Sequence, residues 1–154
     1  ELYRQVLFEY YMRQREGQSK AQLDLDDKDP ITAMVSFVHF MFDYHLAHAE
    51  DVRLVMAENM YRGRHISTMR AVNRVMSSIL EPVKEIIKRG VEQKVMRPDV
   101  APFDVYMTIV SLCYYNVSNR YTVAAIWGYD LSTPIVQRER RKSITEAVLR
   151  YVAA

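Results

Sequence analysis

Apolar positions recur at three- and four-residue spacing along nearly the whole chain, and no stretch alternates with period two between hairpin turns. The pattern predicts helices over 1–16, 30–48, 51–61, 65–89, 102–127 and 133–152, the fifth open to a break near Arg120. Each of the four glycines, Gly17, Gly63, Gly90 and Gly128, falls where a periodic stretch runs out, as a left-handed cap residue does. Asp29-Pro30 and Thr133-Pro134 read as an N-cap followed by a first helical residue. Pro98 and Pro102 bracket a turn, while Pro82 lies inside a helical pattern and predicts a kink near Ser78. Residues 17–29, polar and acidic toward their end, read as a mobile loop between helices. The expected fold is all-α: one antiparallel bundle of about six helices in a single domain, 1–154.

Two of these helices are apolar on nearly every side. In 30–48, Phe37, Met41 and Tyr44 share one face, and Met34, Val38, Phe42 and Leu46 another. In 103–117, Tyr106, Val110, Cys113 and Val117 line one stripe, and Val105, Ile109 and Leu112 a second. A helix that is apolar all round is surrounded by protein. One small domain rarely buries two, so a partner chain is implied. The expected interface joins 102–120 to 133–152, through Val105, Ile109 and Leu112 on one and Ile144, Val148 and Tyr151 on the other. The 65–89 segment carries the stripe Ile66, Met69, Asn73, Met76, Leu80, Val83, Ile87, whose single polar member must find a partner in the core or read a ligand. Around it, Phe37, Met41, Tyr44, Met56, Met69, Met76, Tyr106 and Tyr114 suit an adaptable apolar cavity, with Asn73 as its main polar contact.

Composition narrows the chemistry. The chain has 154 residues, 49% hydrophobic and 26% charged, with a net charge of +2, so it is neither disordered nor a polycationic nucleic-acid tail. A lone Cys113 excludes a disulfide framework and a cysteine zinc site, and fits a reducing compartment. No apolar run approaches the ~18 residues that span a membrane, so a soluble cytoplasmic protein without membrane partners is expected. Glu1 opens the chain already inside a helical pattern, which reads as a fragment. Basic clusters at Arg62-Gly-Arg64-His65 and Arg138-Glu-Arg-Arg-Lys142 read as solvated helix faces or ends, and no helix-turn-helix can be placed. Enzyme constellations fail on spacing: there is no Gly-rich phosphate loop and no Gly-x-Ser-x-Gly elbow. No cofactor or metal is expected. The acidic run Asp24, Asp26, Asp27, Asp29 lacks calcium-loop spacing. Glu58, interrupting an apolar face, is the one carboxylate expected to be buried, capping or pairing with Arg62 at i+4. His45 and His48, three apart, leave open a metal-dependent helical bundle completed by Glu58. A purely structural dimerisation module is the third reading.

Several local strings resemble the C-terminal regulatory domain of TetR-family transcriptional repressors. They are Leu2-Tyr3-x-x-Val6-Leu7-x-x-Tyr10, Glu58-Asn-Met-Tyr-Arg-Gly-Arg-His65, Arg89-Gly-Val91, Arg97-Pro-Asp-Val100 and Ser118-Asn-Arg-Tyr-Thr122, then Asp130-Leu-Ser-Thr-Pro134 and a last helix ending Val148-Leu-Arg-Tyr151. The resemblance covers the whole chain, 1–16 being similar to the helix that leads out of the DNA-binding domain. It implies a homodimer paired through its last two helices, with a small, mostly apolar effector among the central ones. It also implies operator DNA bound only through an N-terminal helix-turn-helix that this chain lacks.

Overall fold

The computed structural model describes residues 1–23 and 25–154, and within them the side chains of all but 18–23, 73–75 and 77. The chain is all-α. Helix α1 spans Leu2–Leu23, α2 Pro30–Ala47 and α3 Ala49–Met60. A 3₁₀ turn at Ile66–Thr68 leads to α4, Arg70–Met76, and a second at Ser77–Leu80 to α5, Glu81–Glu92. Helices α6, Pro102–Ser118, α7, Arg120–Trp127, and α8, Pro134–Val152, complete the order. Among the described residues the one β-type pairing is an isolated bridge between Met96 and Ala153. Beside it the Arg97 N–H donates to the Val152 carbonyl at 3.0 Å, tying the chain after α5 to the end of α8. Among the described residues, no helix is long and apolar enough to cross a membrane.

The caps expected at the proline-led helices form. The Asp29 carboxylate accepts from the N–H groups of Ile31 and Thr32 at 3.1 and 3.0 Å, and Thr133 accepts from Val136 at 3.4 Å. The Asp29 carboxyl is held below its ordinary range by the hydrogen bonds from Thr32. Gly128 ends α7 with φ +64°, as a left-handed cap should.

Two other glycines are not caps. Helix α1 runs through Gly17 to Leu23, so the expected loop begins later. A Cβ at Gly17 would lie 3.3 Å from Cε2 of Tyr44, and the missing side chain serves the close approach of α1 to α2. Gly90 lies inside α5, two residues before its end. The left-handed turn there falls on Lys94, φ +59°. Segment 65–89 is not one helix: the backbone winds into 3₁₀ at Ser77–Leu80 and restarts as α5 with Pro82 in its first turn, placing the break where the proline predicts it. Arg89 reaches out of α5. Its guanidinium donates to the carbonyls of Leu25, Asp26 and Lys28, fastening the loop before α2 onto α5.

Helix α2 is the centre of the bundle, packed against α5, α6 and α8, and α6 lies along α8. Phe37, Met41, Val83, Ile86, Ile109, Ile144 and Val148 belong to one buried cluster. That packing overturns one expectation about exposure. Val105, Ile109, Ile144 and Val148 are at most 1% exposed in a single chain, and Leu112 and Tyr151 pack against the same core. The stripes expected to stay open for a partner are closed within the chain, because α2 fills the space between α6 and α8. The open apolar surface of these helices is a different row: Phe103, Met107 and Tyr115 on α6, and Ile135 on α8.

Candidate functional site

Helix α1 is polar over most of its surface yet buries Leu7, Tyr10 and Gln14, positions 3 and 4 residues apart that form one stripe. Tyr10 lies against Tyr11, ring centroids 4.6 Å apart. Helices α2 and α6 bring further rings. His45 stands edge-on to Tyr44 and Tyr114, at 6.0 and 5.8 Å, and Tyr44 stacks on His48 at 4.2 Å. The Tyr114 hydroxyl donates to the Val52 carbonyl at 2.9 Å, joining α6 to α3. Burial raises the pKa of Tyr10, of Tyr44 and Tyr114, and of Tyr11 to about 12, so these phenols stay protonated. Burial likewise lowers that of His45, which is neutral and donates from Nδ1 to the Met41 carbonyl at 2.6 Å.

Helix α3 contributes two carboxylates seven residues apart, hence on one face. Asp51 pairs with Arg13 of α1 at 3.0 Å. Its second oxygen, Oδ2, is buried and has no hydrogen-bond partner among the described residues, and the same holds for the Tyr44 hydroxyl. Glu58, 3% exposed, is by contrast fully engaged. It accepts from the backbone N–H groups of His65 and Ile66 at 2.7 and 3.0 Å, and from His65 Nδ1 at 2.9 Å. Tyr3 of α1 meets the His65 ring edge-on at 4.8 Å. Glu58 is therefore buried as expected, but it closes the turn after α3 against α1, and Arg62 is not its partner.

Of the residues expected to line a cavity, the structure brings Tyr44, Tyr106 and Tyr114 toward the tyrosines of α1. Phe37 and Met41 are 1% and 0% exposed and belong to the packed core, with Met76 against it. Met69 is half-buried before α4. Met56 faces solvent, because α3 fully buries only Val52 and Glu58. The Asn73 side chain lies outside the described residues. Tyr10, Tyr11, Arg13 and Asp51 were not among the candidates. The available signal was the Tyr10-Tyr11 doublet, costly to expose on an otherwise polar helix.

The side chains weighed as reactive groups or metal ligands are each held locally. Cys113 is buried, its thiol pushed up to about 12 by desolvation, with Sγ beside the Val38 carbonyl. His48 Nδ1 is spent on the Tyr44 carbonyl at 2.8 Å, so His45, His48 and Glu58 each have a local partner. Among the described residues no three metal-ligating side chains converge. A surface cleft of about 330 Å³ between α2 and the start of α8, with Phe42, Leu46, Pro134 and Arg141 in its wall, lies apart from the tyrosines.

Residues 30–148, from the first residue of α2 into α8, match the family described as Tetracyclin repressor-like, C-terminal domain. Over 134 residues, 87% of this chain, the sequence is 29% identical to the HTH-type transcriptional repressor NicS of Pseudomonas putida. The chain spans 63% of that relative's length. The matched residues begin with α2, the helix at the centre of the bundle, and run into α8. This chain belongs to the Tetracyclin repressor-like C-terminal domain family.

Proposed function

We propose that the chain is an effector-sensing, dimerising regulatory domain, in which a small molecule held among α1, α2, α3 and α6 biases the position of α1. The observation that carries this reading is a tyrosine cluster, buried at Tyr10 and Tyr106 and half-buried at Tyr11, Tyr44 and Tyr114, in which the Tyr44 hydroxyl and Asp51 Oδ2 have no hydrogen-bond partner among the described residues. A buried polar group without a partner costs about 1–3 kcal/mol, and a ligand that satisfies it recovers that cost. Helix α1 completes the site and also carries Arg13 and Tyr3, so occupancy and the attitude of α1 are linked. For a ligand to act it must prefer one attitude over another, since equal affinity shifts nothing. Operator binding would belong to a helix-turn-helix segment preceding α1 in the whole protein. Dimerisation would use the exposed α6 row and Ile135.

Thermal melting of the chain across a panel of small aromatic metabolites tests the effector site. Compounds that raise the melting temperature of the wild type should lose their effect in Tyr114→Ala and Tyr11→Ala. A panel in which every stabilising compound acts equally on these variants overturns the assignment, and a panel that stabilises nothing favours a structural dimerisation module.

A further inference from the structure

The chemistry of the two unpartnered atoms says what kind of molecule the site accepts. Asp51 is a carboxylate engaged by Arg13 on one oxygen only, at 3.0 Å, and the buried Oδ2 keeps its lone pairs free to accept. An acceptor of this kind takes an N–H or O–H and repels a second carboxylate. The Tyr44 hydroxyl, protonated because of its burial and the nearby Asp51 charge, offers a donor. No hydrogen bond joins the two groups. Flat surfaces lie beside them: the Tyr44 ring stacked on His48, Phe40 at 5.8 Å from Tyr44, and His45 at 6.0 Å.

Resting on the effector-site reading above, we propose that Tyr44 and Asp51 form its polar end and select a neutral planar molecule with an N–H donor beside a carbonyl acceptor, as in a primary aromatic amide, over the corresponding carboxylate. The amide N–H meets Asp51 Oδ2 and its carbonyl accepts from the Tyr44 hydroxyl, satisfying both atoms at once. A carboxylate ligand satisfies Tyr44 only and sets like charges together. An amine without a carbonyl satisfies Asp51 only.

The probes are benzamide, benzoate and benzylamine, which share a ring and differ in the head group, titrated into the 154-residue chain by ligand-observed NMR. Benzamide should bind at least tenfold more tightly than either other compound. Asp51→Asn, which adds a donor and removes the charge, should cut the preference for benzamide over benzoate to about threefold or less. Tyr44→Phe should weaken benzamide about tenfold. Melting without ligand supplies an independent check: Tyr44→Phe should be at least as stable as wild type, since its hydroxyl has no partner to lose among the described residues. Benzoate binding as tightly as benzamide, or a preference unchanged in Asp51→Asn, overturns the head-group assignment while leaving the effector site standing. If none of the three compounds binds, the head-group assignment falls, and the effector-site reading is decided by the melting panel with Tyr114→Ala and Tyr11→Ala. A Tyr44→Phe protein that is markedly less stable overturns the claim that the hydroxyl is reserved for a ligand.

Discussion

Burial alone would push the Glu58 carboxyl up, yet the N–H of Ile66 and the ring and backbone N–H of His65 together hold it below its ordinary value of 4.5. The sign of the consequence follows by linkage. A carboxylate whose folded pKa lies below its unfolded one stabilises the fold above the unfolded pKa, and that contribution is lost as pH falls through the folded value. Glu58→Gln should therefore cost about 1–3 kcal/mol at pH 7, the charged hydrogen bonds to His65 and Ile66 being lost. The gap between variant and wild type should close as the pH is taken down from about 4.5. Urea unfolding between pH 7 and 3 measures it, and a gap of constant size would show that the ionised carboxylate is not what secures the turn. That Glu58 is buried was legible from its place in an apolar face. Its partners were not, because i, i+4 reasoning presumes a helix that continues, whereas α3 ends at Met60 and Arg62 takes φ +57°. That reversal lays His65 and Ile66 over the carboxylate.

At the scale of elements, Gly90 shows how tertiary packing overrides a local rule. Alanine is favoured over glycine inside a helix by about 1 kcal/mol, which alone would make Gly90→Ala stabilising. A Cβ there would stand 2.5 Å from Sδ and 3.0 Å from Cβ of Met96. Met96 is 1% exposed and its backbone is bridged to Ala153, so it has little room to yield. Overpacking of this kind costs about 1–3 kcal/mol, and the variant should melt lower than wild type. A higher melting temperature would mean that Met96 repacks freely. The helix count and the proline-led caps could be read from periodicity and from Asp29-Pro30 and Thr133-Pro134, since both are local signals. Gly17 and Gly90 misled because a missing side chain serves close approach as readily as a left-handed turn, and only the neighbour decides between them. The site divides in the same way. Tyr44, Tyr106 and Tyr114 stood out on helices apolar on all sides, whereas Asp51 resembles any acidic residue in a first turn and Arg13 any exposed cation on a polar helix.

For the molecule as a whole, α6 presents two faces whose roles a pair of substitutions separates. Val105 and Ile109 are shut inside the chain, while Phe103, Met107, Ser111 and Tyr115 recur every four residues along the opposite, open face. Phe103, Met107 and Tyr115 are 56%, 43% and 47% exposed in a lone chain, the row of large apolar side chains on which the proposed dimerisation rests. A two-fold pairing of α6 with α6 lets the same row serve both partners, as an isologous interface requires. Along α8 the open face is mixed, with Ile135 followed by charged residues and the small Ser143 and Ala147, so it contributes shape more than apolar area. If the chain dimerises as proposed, Met107→Glu should abolish the dimer in light scattering at micromolar concentration while far-UV dichroism stays that of a folded helical chain, because an exposed position tolerates the change in the monomer. Ile109→Ala should do the reverse, lowering chain stability by about 2–5 kcal/mol through a cavity in the core without moving the association constant of the folded chain. A Met107→Glu protein that remains dimeric would place the two-fold axis elsewhere. The next surface to examine would then be α7 and the turn after it, where Tyr121, Ile126, Trp127 and Tyr129 are also exposed.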